Sequence, residues 1–160
     1  MSHHHLPPTL RLGPVSFTVT DLDRSIRFYQ DDIGLRVHER DDADAMLGDG
    51  ELDLLALTEE PDARPAGRHA GLYHVAIRYP TRAALADAYR RLRDVEWPIR
   101  QATDHGTHEA IYLSDPDGND LELMWDRPPD QWPHDDRGHI SAVATKDLDL
   151  DELARVDAEA

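Results

Sequence analysis

Two halves of this 160-residue chain repeat one order of predicted elements, and this repetition constrains the fold more than any other feature. Each half begins with alternating apolar and polar residues, continues with apolar residues at helical spacing, and ends in three short alternating stretches. Superposing the halves places GPVSF (13–17) over YHVAI (73–77), and DGELDLLAL (49–57) over DGNDLELMW (117–125). The two halves share the order of their predicted elements but differ in their side-chain chemistry, which indicates an internal duplication.

Each half is predicted to form a βαβββ unit, which assigns the chain to the α+β class. Thr20 or Asp21 is suited to cap the first helix and Thr81 the second, while Gly34 suits the position just past the first helix. The predicted strands are 15–19, 35–40, 44–47 and 52–57 in the first unit, and 72–79, 99–103, 109–113 and 120–125 in the second.

The length of the chain lies within the range of about 100 to 200 residues for a single domain. Residues 59–71 contain two Pro and two Gly and are predicted to connect the units. The apolar residues near the end, Leu148, Leu150 and Leu153, predict one short helix that packs on its own domain or on a partner subunit. We therefore assign an N-terminal extension (1–11), a domain (12–127) with units at 12–58 and 72–127, and an acidic C-terminal arm (128–160).

The formal net charge of −16 and the isoelectric point near 4.8 exclude nucleic acid and anionic membrane surfaces as main partners, because both require clustered Lys and Arg. No stretch approaches the roughly 18 apolar residues of a membrane span, and residues 1–8 lack the apolar core of a signal peptide, so we expect a cytoplasmic protein. The chain has no Cys, so any bound metal must use His and carboxylate ligands. His3, His4 and His5 are either native or a tag remnant, and the fold argument leaves them out.

One carboxylate stands out in the last predicted strand. Asp115–Asn119 is predicted to form a tight turn, because Pro116 presets φ and Gly118 permits positive φ. Glu122 follows this turn in an otherwise apolar stretch. An ionised carboxylate is costly to bury unless it is paired or coordinates a metal. Glu122 is therefore a candidate metal ligand, provided that it does not face solvent.

These features resemble the vicinal oxygen chelate superfamily, which includes glyoxalase I, bleomycin-resistance proteins, fosfomycin-resistance enzymes and extradiol ring-cleaving dioxygenases. The resemblance rests on the two βαβββ units, on DPDGN followed by Glu122, and on His74 in the first strand of the second unit, and it covers residues 12–127. It implies a cupped mixed sheet whose inner face holds one divalent metal that chelates a substrate through two oxygens. GLYHVAI, DHG, EAIYLSDPDGN and DRPPDQW are most similar to the N-terminal module of two-module catechol 2,3-dioxygenases.

The resemblance places metal ligands at His74 and Glu122. The first-unit His position of the family falls on Pro14, which has no side-chain donor, and the first-unit Glu position used by some members falls on Leu54. Ser16, two residues from Pro14 on the same face, is a poor substitute ligand. Imidazole and oxygen ligands suit Fe(II), Mn(II), Ni(II) and Zn(II), so the sequence leaves the ion open.

Three further side chains are candidates for proton transfer or hydrogen bonding. Strand pairing across the turn places Tyr112 on the face of Glu122, where it either donates to a metal-bound oxygen or merely fills the mouth of the cup. Extradiol dioxygenases and fosfomycin enzymes resemble this chain in having Tyr at that position. His108 and His105 lie near the rim, and each is either a general acid or base or a surface histidine.

The remaining predicted pocket residues are Ser16, Arg78 and Ala110, together with His105. Arg78 follows the inward phase of its strand, so its guanidinium either receives an anionic substrate or pairs with Glu122. Ala110 lies on the inward phase of the strand that carries Tyr112. Pairing of Arg78 with Glu122 would weaken the metal hypothesis.

Two functions are consistent with these residues. The first is a small metal-dependent enzyme, dioxygenase-like or glyoxalase (lyase)-like, acting on a catechol-like or 2-oxo compound. The second is a metal-free protein that sequesters a small-molecule ligand, as bleomycin-resistance proteins do. The resemblance also implies a homodimer, with the RPPDQW segment near its interface. A degenerate module that only dimerises or regulates a partner is a third interpretation, without positive support.

Overall fold

The computed structural model describes residues 12–64, 71–141 and 145–157. Its elements are β1 (Val15–Val19), α1 (Leu22–Arg27), a π-helical segment (Phe28–Ile33), β2 (Arg36–Arg40), β3 (Asp44–Gly48), β4 (Asp53–Glu59), β5 (Val75–Arg78), α2 (Arg82–Asp94), β6 (Ile99–Asp104), β7 (His108–Ser114), β8 (Asp120–Asp126), a 3₁₀ turn (Pro129–Gln131), β9 (Lys146–Asp147) and α3 (Leu150–Ala154). The α+β class and the two βαβββ units are confirmed. His3, His4, His5 and connector residues 65–70 lie outside the described residues. No helix in the described ranges is both long and apolar enough to span a bilayer.

The first unit forms a four-stranded mixed sheet in the order β1-β4-β3-β2, with β1 parallel to β4 and the other neighbours antiparallel. Alternation along β1 sends Phe17 into the core and leaves Ser16 exposed on the opposite face. Asp21 caps α1 by accepting the backbone N–H of Arg24 at 2.8 Å. The π-helical segment continues α1 and ends at Gly34, whose φ of 95° suits glycine.

The second unit forms a five-stranded sheet in the order β5-β8-β7-β6-β9, with β5 parallel to β8. Thr81 caps α2 as predicted, its hydroxyl accepting the N–H of Ala84 at 3.1 Å. β5 is shorter than the predicted 72–79, because its pairing with β8 begins only at Val75 and Leu72 and Tyr73 are 65% and 82% exposed. The fifth strand, β9, comes from the C-terminal arm and pairs with β6.

The two units share one apolar core and meet through their helices. Arg91 of α2 donates to the carbonyl oxygens of Asp32 (3.1 Å) and Ile33 (3.0 Å), and the Tyr79 hydroxyl also donates to Ile33 (2.7 Å). These bonds satisfy carbonyl groups near the end of the π-helical segment. The core cluster draws side chains from both sheets and helices, among them Val19, Tyr29, Leu57, Leu92, Ile111 and Leu123.

The turn between β7 and β8 also joins the two units. The carboxylate of Asp115 is buried and accepts the backbone N–H groups of Asp117 (2.9 Å) and Asn119 (2.8 Å) within its own turn. It also accepts the hydroxyl of Tyr29 in the first unit at 2.9 Å. The predicted turn therefore reverses the chain and holds the first unit against the second.

Asp117 makes a second contact between the units. Its carboxylate accepts the Thr20 hydroxyl at 2.5 Å and Nη2 of Arg24 at 2.7 Å. Burial opposes ionisation of Asp117, but the hydrogen bonds from Thr20 and Arg24 outweigh burial, so the pKa of Asp117 lies below its usual range. The ionised form of Asp117 is thus favoured by the folded arrangement of both units.

Part of the C-terminal arm packs on its own domain, which is the first of its two predicted arrangements. Leu148 and Leu153 are 9% and 0% exposed, and Arg90 of α2 donates to the carbonyl oxygens of Ala154 (3.0 Å) and Val156 (2.9 Å). α3 at Leu150–Ala154 agrees with the predicted short helix. Two side chains of the arm, Leu148 and Leu153, are therefore part of the core.

We expect Asp117→Asn to lower the free energy of unfolding at neutral pH by about 2 kcal/mol, because hydrogen bonds to a charged acceptor are lost. Since the folded pKa of Asp117 is lowered, its contribution is present above its unfolded pKa and disappears as pH falls through the folded value. The variant should therefore lose less stability than the parent between about pH 5 and about pH 2 in urea titrations. Asp62→Asn, at an exposed position, is the control; equal pH dependence of parent and Asp117→Asn would contradict the assignment.

Candidate functional site

Three neighbouring strands bring the candidate residues to one face of the second sheet. Glu122 lies in the middle of β8, where its neighbours in register are Tyr112 on β7 and Ala76 on β5. His74 directly precedes β5. Glu122 is only 6% exposed, so this carboxylate is buried and requires partners.

Both oxygens of Glu122 have close neighbours. The Tyr112 hydroxyl donates to Oε1 at 2.7 Å, and Nε2 of His108 lies 3.7 Å from the same oxygen. Nε2 of His74 lies 3.0 Å from Oε2. The carboxylate is therefore the centre of a group that we call the Glu122 cluster: His74, His105, His108, Tyr112 and Glu122.

His105 enters this cluster from the turn between β6 and β7. The backbone N–H of His105 donates to the carbonyl oxygen of His108 at 2.9 Å, and Gly106 at φ 78° closes the turn. Nε2 of His105 lies 3.2 Å from the Tyr112 hydroxyl. The imidazole rings of His105 and His108 stack with their centroids 4.4 Å apart. The possible ligand atoms of His105, His108 and Glu122 all lie within 4.8 Å of one another. The turn and the first residue of β7 thus bring the imidazole nitrogens of His105 and His108 close to the buried carboxylate.

Two charged side chains, Asp104 and Arg127, stabilise the conformation of this turn. Asp104 accepts the N–H of Gly106 at 2.7 Å and a fork of two bonds from Arg127 at 2.7 and 3.2 Å. Burial opposes ionisation of Asp104, but the bonds from Gly106 and Arg127 prevail and its pKa lies below the usual range. Arg127 also donates to the buried Glu109 at 2.7 Å.

The cluster changes the pKa values of two members. Burial, then the hydrogen bond to Glu122 and its negative charge, raise the pKa of Tyr112 well above the usual range. Burial and then the neighbouring His108 lower the pKa of His105, although Glu122 and Asp104 oppose this. At neutral pH Tyr112 is therefore a protonated phenol that donates to Glu122, and the neutral form of the His105 imidazole is favoured.

One family model matches most of the sequence. A sequence model of the Glyoxalase/Bleomycin resistance protein/Dioxygenase superfamily matches residues 11–123. The chain belongs to this superfamily. The resemblance inferred from the two repeats, DPDGN and Glu122 is thereby confirmed.

Two relatives of this chain are named as dioxygenases. Catechol-2,3-dioxygenase of Bacillus subtilis (strain 168) is 39% identical over 145 residues, which are 89% of this chain and 50% of that protein. Biphenyl-2,3-diol 1,2-dioxygenase 3 of Rhodococcus globerulus is 41% identical over 66 residues, which are 41% of this chain and 34% of that protein. The chain thus spans half the length of the first relative and a smaller share of the second.

Solved structures of the superfamily share the fold. A glyoxalase/dioxygenase from Nostoc punctiforme has a TM-score of 0.65 and 21% identity, and the alignment covers 80% of this chain and 100% of that one. A fosfomycin resistance protein from Listeria monocytogenes has a TM-score of 0.59 and 14% identity, with 76% and 97% covered. At these identities the likeness establishes the fold alone.

The other predicted site residues are Ser16, Ala110 and Arg78, and their environments differ. Ser16 is exposed on β1 and lines the same cleft as His74, whereas Ala110 is fully buried. The Arg78 side chain is 71% exposed and pairs with Asp126 at 3.4 Å, not with Glu122. The metal hypothesis therefore does not lose its carboxylate to Arg78.

Sequence reasoning missed the residues that orient the cluster. Nδ1 of His108 lies 3.0 Å from the Thr107 hydroxyl, and Asp104 and Arg127 brace the turn. The signal for Asp104 was its position two residues before Gly106, which is typical of an Asx turn. No local signal identifies Arg127, because its contacts depend on the pairing of β7 with β8.

We expect Tyr112 to ionise well above the usual pH for tyrosine, and Glu122→Gln to bring its pKa down, because the negative charge and the strong acceptor are both removed. NMR titration of ring-labelled tyrosine measures this change. Tyr79, which donates to Ile33, is the internal control and should titrate alike in both proteins. An unchanged Tyr112 titration in Glu122→Gln would contradict the observed hydrogen bond.

Proposed function

We propose that this chain is a small metalloenzyme of the superfamily, which binds one divalent ion through His74 and Glu122 and acts on a small substrate with two adjacent oxygens. The observation that supports this most is the buried Glu122, whose Oε2 lies 3.0 Å from Nε2 of His74. Its other oxygen faces Tyr112 and His108. The cluster thus combines ligands with groups suited to hydrogen bonding and proton transfer.

The donor set fits a divalent ion. Two ligand atoms bound to one ion at about 2.1 Å, at angles from square to tetrahedral, lie about 3 to 3.5 Å apart. The 3.0 Å separation of the His74 and Glu122 atoms agrees with this spacing. Imidazole nitrogen with carboxylate oxygen suits Fe(II), Mn(II), Ni(II) and Zn(II).

The chain's own side chains then have separate tasks. When bound, the ion supplies Lewis-acid polarisation of the substrate oxygens. Tyr112 stays protonated because its pKa is raised, so its hydroxyl can donate to an oxygen on which charge develops. His108, whose ring contacts the Thr107 hydroxyl, is the candidate general acid or base. Ser16 and Tyr73 border the cleft that leads to His74.

The proposed substrate class is catechol-like, with 2-oxo compounds as the second choice. The name of the Bacillus relative, catechol-2,3-dioxygenase, favours the first class. The chain matches only half of that protein, so ring cleavage itself does not follow from the likeness.

A metal-free ligand-binding protein is the second candidate function, and two observations favour it. Pro14 and Leu54 offer no donors at the two first-unit ligand positions. Both oxygens of Glu122 already have protein partners, so the carboxylate is satisfied without an ion. In this alternative the cleft lined by Ser16, Thr18, Tyr73 and His74 receives the ligand.

Metal content separates the two functions. The full chain with His3, His4 and His5 replaced by serine is equilibrated anaerobically with Fe(II), Mn(II), Ni(II) or Zn(II), desalted, and measured by mass spectrometry. We expect close to one ion per chain, lost in His74→Ala and in Glu122→Ala and kept in the exposed control His139→Ala. Retention by the parent justifies an anaerobic screen of catechols and 2-oxo acids. No retained metal in the parent would overturn the enzyme proposal in favour of ligand binding.

The proposal includes a homodimer, with the RPPDQW segment near its interface. Leu72 and Tyr73, at the edge of the second sheet, are 65% and 82% exposed, which is unusual for a pair of large apolar side chains. We expect the double variant Leu72→Asp, Tyr73→Asp to sediment as a monomer and the parent as a dimer. Val95→Asp, at another exposed apolar position, is the control. A monomeric parent would contradict the proposal.

A further inference from the structure

We propose that the turn between β6 and β7 supplies the ligands that the first unit lacks: His105 and His108 join Glu122 and His74, so that the second unit alone holds the divalent ion. This inference rests on the proposed function, because it concerns the same buried carboxylate. It differs from the ligand set that the resemblance implied, because the additional ligands are His105 and His108 and not a residue in the first strand of the first unit.

The first unit offers little to an ion at Glu122. Position 14, which aligns with His74 in the repeat, is Pro, and position 54, which aligns with Glu122, is Leu. Within the described residues, the side chains in polar contact with the Glu122 carboxylate are His74, His108 and Tyr112, all from the second unit. Two ligands alone bind weakly, so a site of useful affinity needs further donors from this unit.

The donor spacing suits a single ion. Ligand atoms bonded at about 2.1 Å lie about 3 Å apart when adjacent and about 4 Å apart when opposite. The candidate atoms of His105, His108 and Glu122 all lie within 4.8 Å of one another. This bound is slightly wider than the spacing of about 4 Å for opposite ligands, so an ion at this site would draw the three atoms closer together.

The two imidazole rings are arranged as metal-binding histidines commonly are. Nδ1 of His108 lies 3.0 Å from the Thr107 hydroxyl, which leaves Nε2 as the nitrogen near Glu122. The His105 ring stacks on it, with 18° between the planes, and its Nε2 faces the Tyr112 hydroxyl. Each ring therefore directs one nitrogen into the Glu122 cluster.

The turn that carries His105 and leads into His108, the first residue of β7, is held by several hydrogen bonds. Asp104 accepts the N–H of Gly106 and is clamped by Arg127, whose own backbone N–H donates to the carbonyl oxygen of Thr107 at 2.9 Å. Ligands held by such supporting bonds need little reorganisation on binding. A surface pair of histidines would not need this bracing.

The three imidazoles and one carboxylate of the proposed site would fill four positions of a six-coordinate ion and leave two positions open. Two open positions are enough for the two oxygens of a chelating substrate. The inference thus supports a chelating substrate over a ligand that binds through a single atom.

The test uses the chain's lack of cysteine. In the full chain with His3, His4 and His5 replaced by serine, His105→Cys and His108→Cys each introduce one thiol. If position 105 or 108 coordinates the ion, added Co(II) should give a thiolate-to-cobalt charge-transfer band in the near ultraviolet, because a coordinating thiol is deprotonated. His139→Cys, on an exposed loop, is the matched control and should give no such band. Circular dichroism confirms that each variant is folded.

Affinity provides the second measurement. In the same background, His105→Asn and His108→Asn should each weaken Co(II) binding at least about tenfold, the smallest loss typical even of residues that only support a ligand. Co(II) binding that depends on His74 and Glu122 but not on the turn, with no charge-transfer band at 105 or 108, would overturn this inference and leave the proposed function intact. No Co(II) binding by the parent would overturn both.

Discussion

The buried carboxylate of Asp115 is the contact on which both the fold and the site depend. It fixes the reversal between β7 and β8 by accepting two backbone N–H groups of its own turn. The resulting register sets Tyr112 opposite Glu122, and a slip of one residue would turn Glu122 toward the other face of the sheet. The same carboxylate accepts the Tyr29 hydroxyl, so the turn that aligns the site also joins the two units.

The second sheet contains two buried glutamates on opposite faces, Glu109 and Glu122, and their partners differ. Glu109, on the core side of β7, is paired with Arg82 at 2.8 Å and Arg127 at 2.7 Å. Glu122 has no guanidinium or ammonium partner among the described residues; its neighbours are a phenol and two imidazoles. A buried carboxylate is costly unless it is paired or coordinates a metal, and the imidazoles beside Glu122 are groups that can also ligate a metal. This contrast makes Glu122, and not Glu109, the functional candidate.

Periodicity and turn chemistry predicted most of the fold. The caps at Asp21 and Thr81, the end at Gly34 and the eight strands of the repeats agree with the structure to within a few residues. β9 was missed because two residues, Lys146 and Asp147, carry no readable alternation. The register of the hairpin predicted the Tyr112 and Glu122 pair. Contacts such as Asp117 with Arg24 were beyond prediction, because they join residues that only the packing of the two units brings together.

The two duplicated units differ in where their histidines lie. The first unit contains a single histidine within 12–58, His38. Both of its ring nitrogens are engaged in its own hairpin, Nδ1 with Asp53 at 2.7 Å and Nε2 with the N–H of Gly50 at 3.1 Å. The first unit therefore has no histidine to spare, whereas the second gathers three imidazoles around one buried carboxylate. The histidine of the first unit stabilises a hairpin, whereas the histidines beside Glu122 in the second unit are available for chemistry.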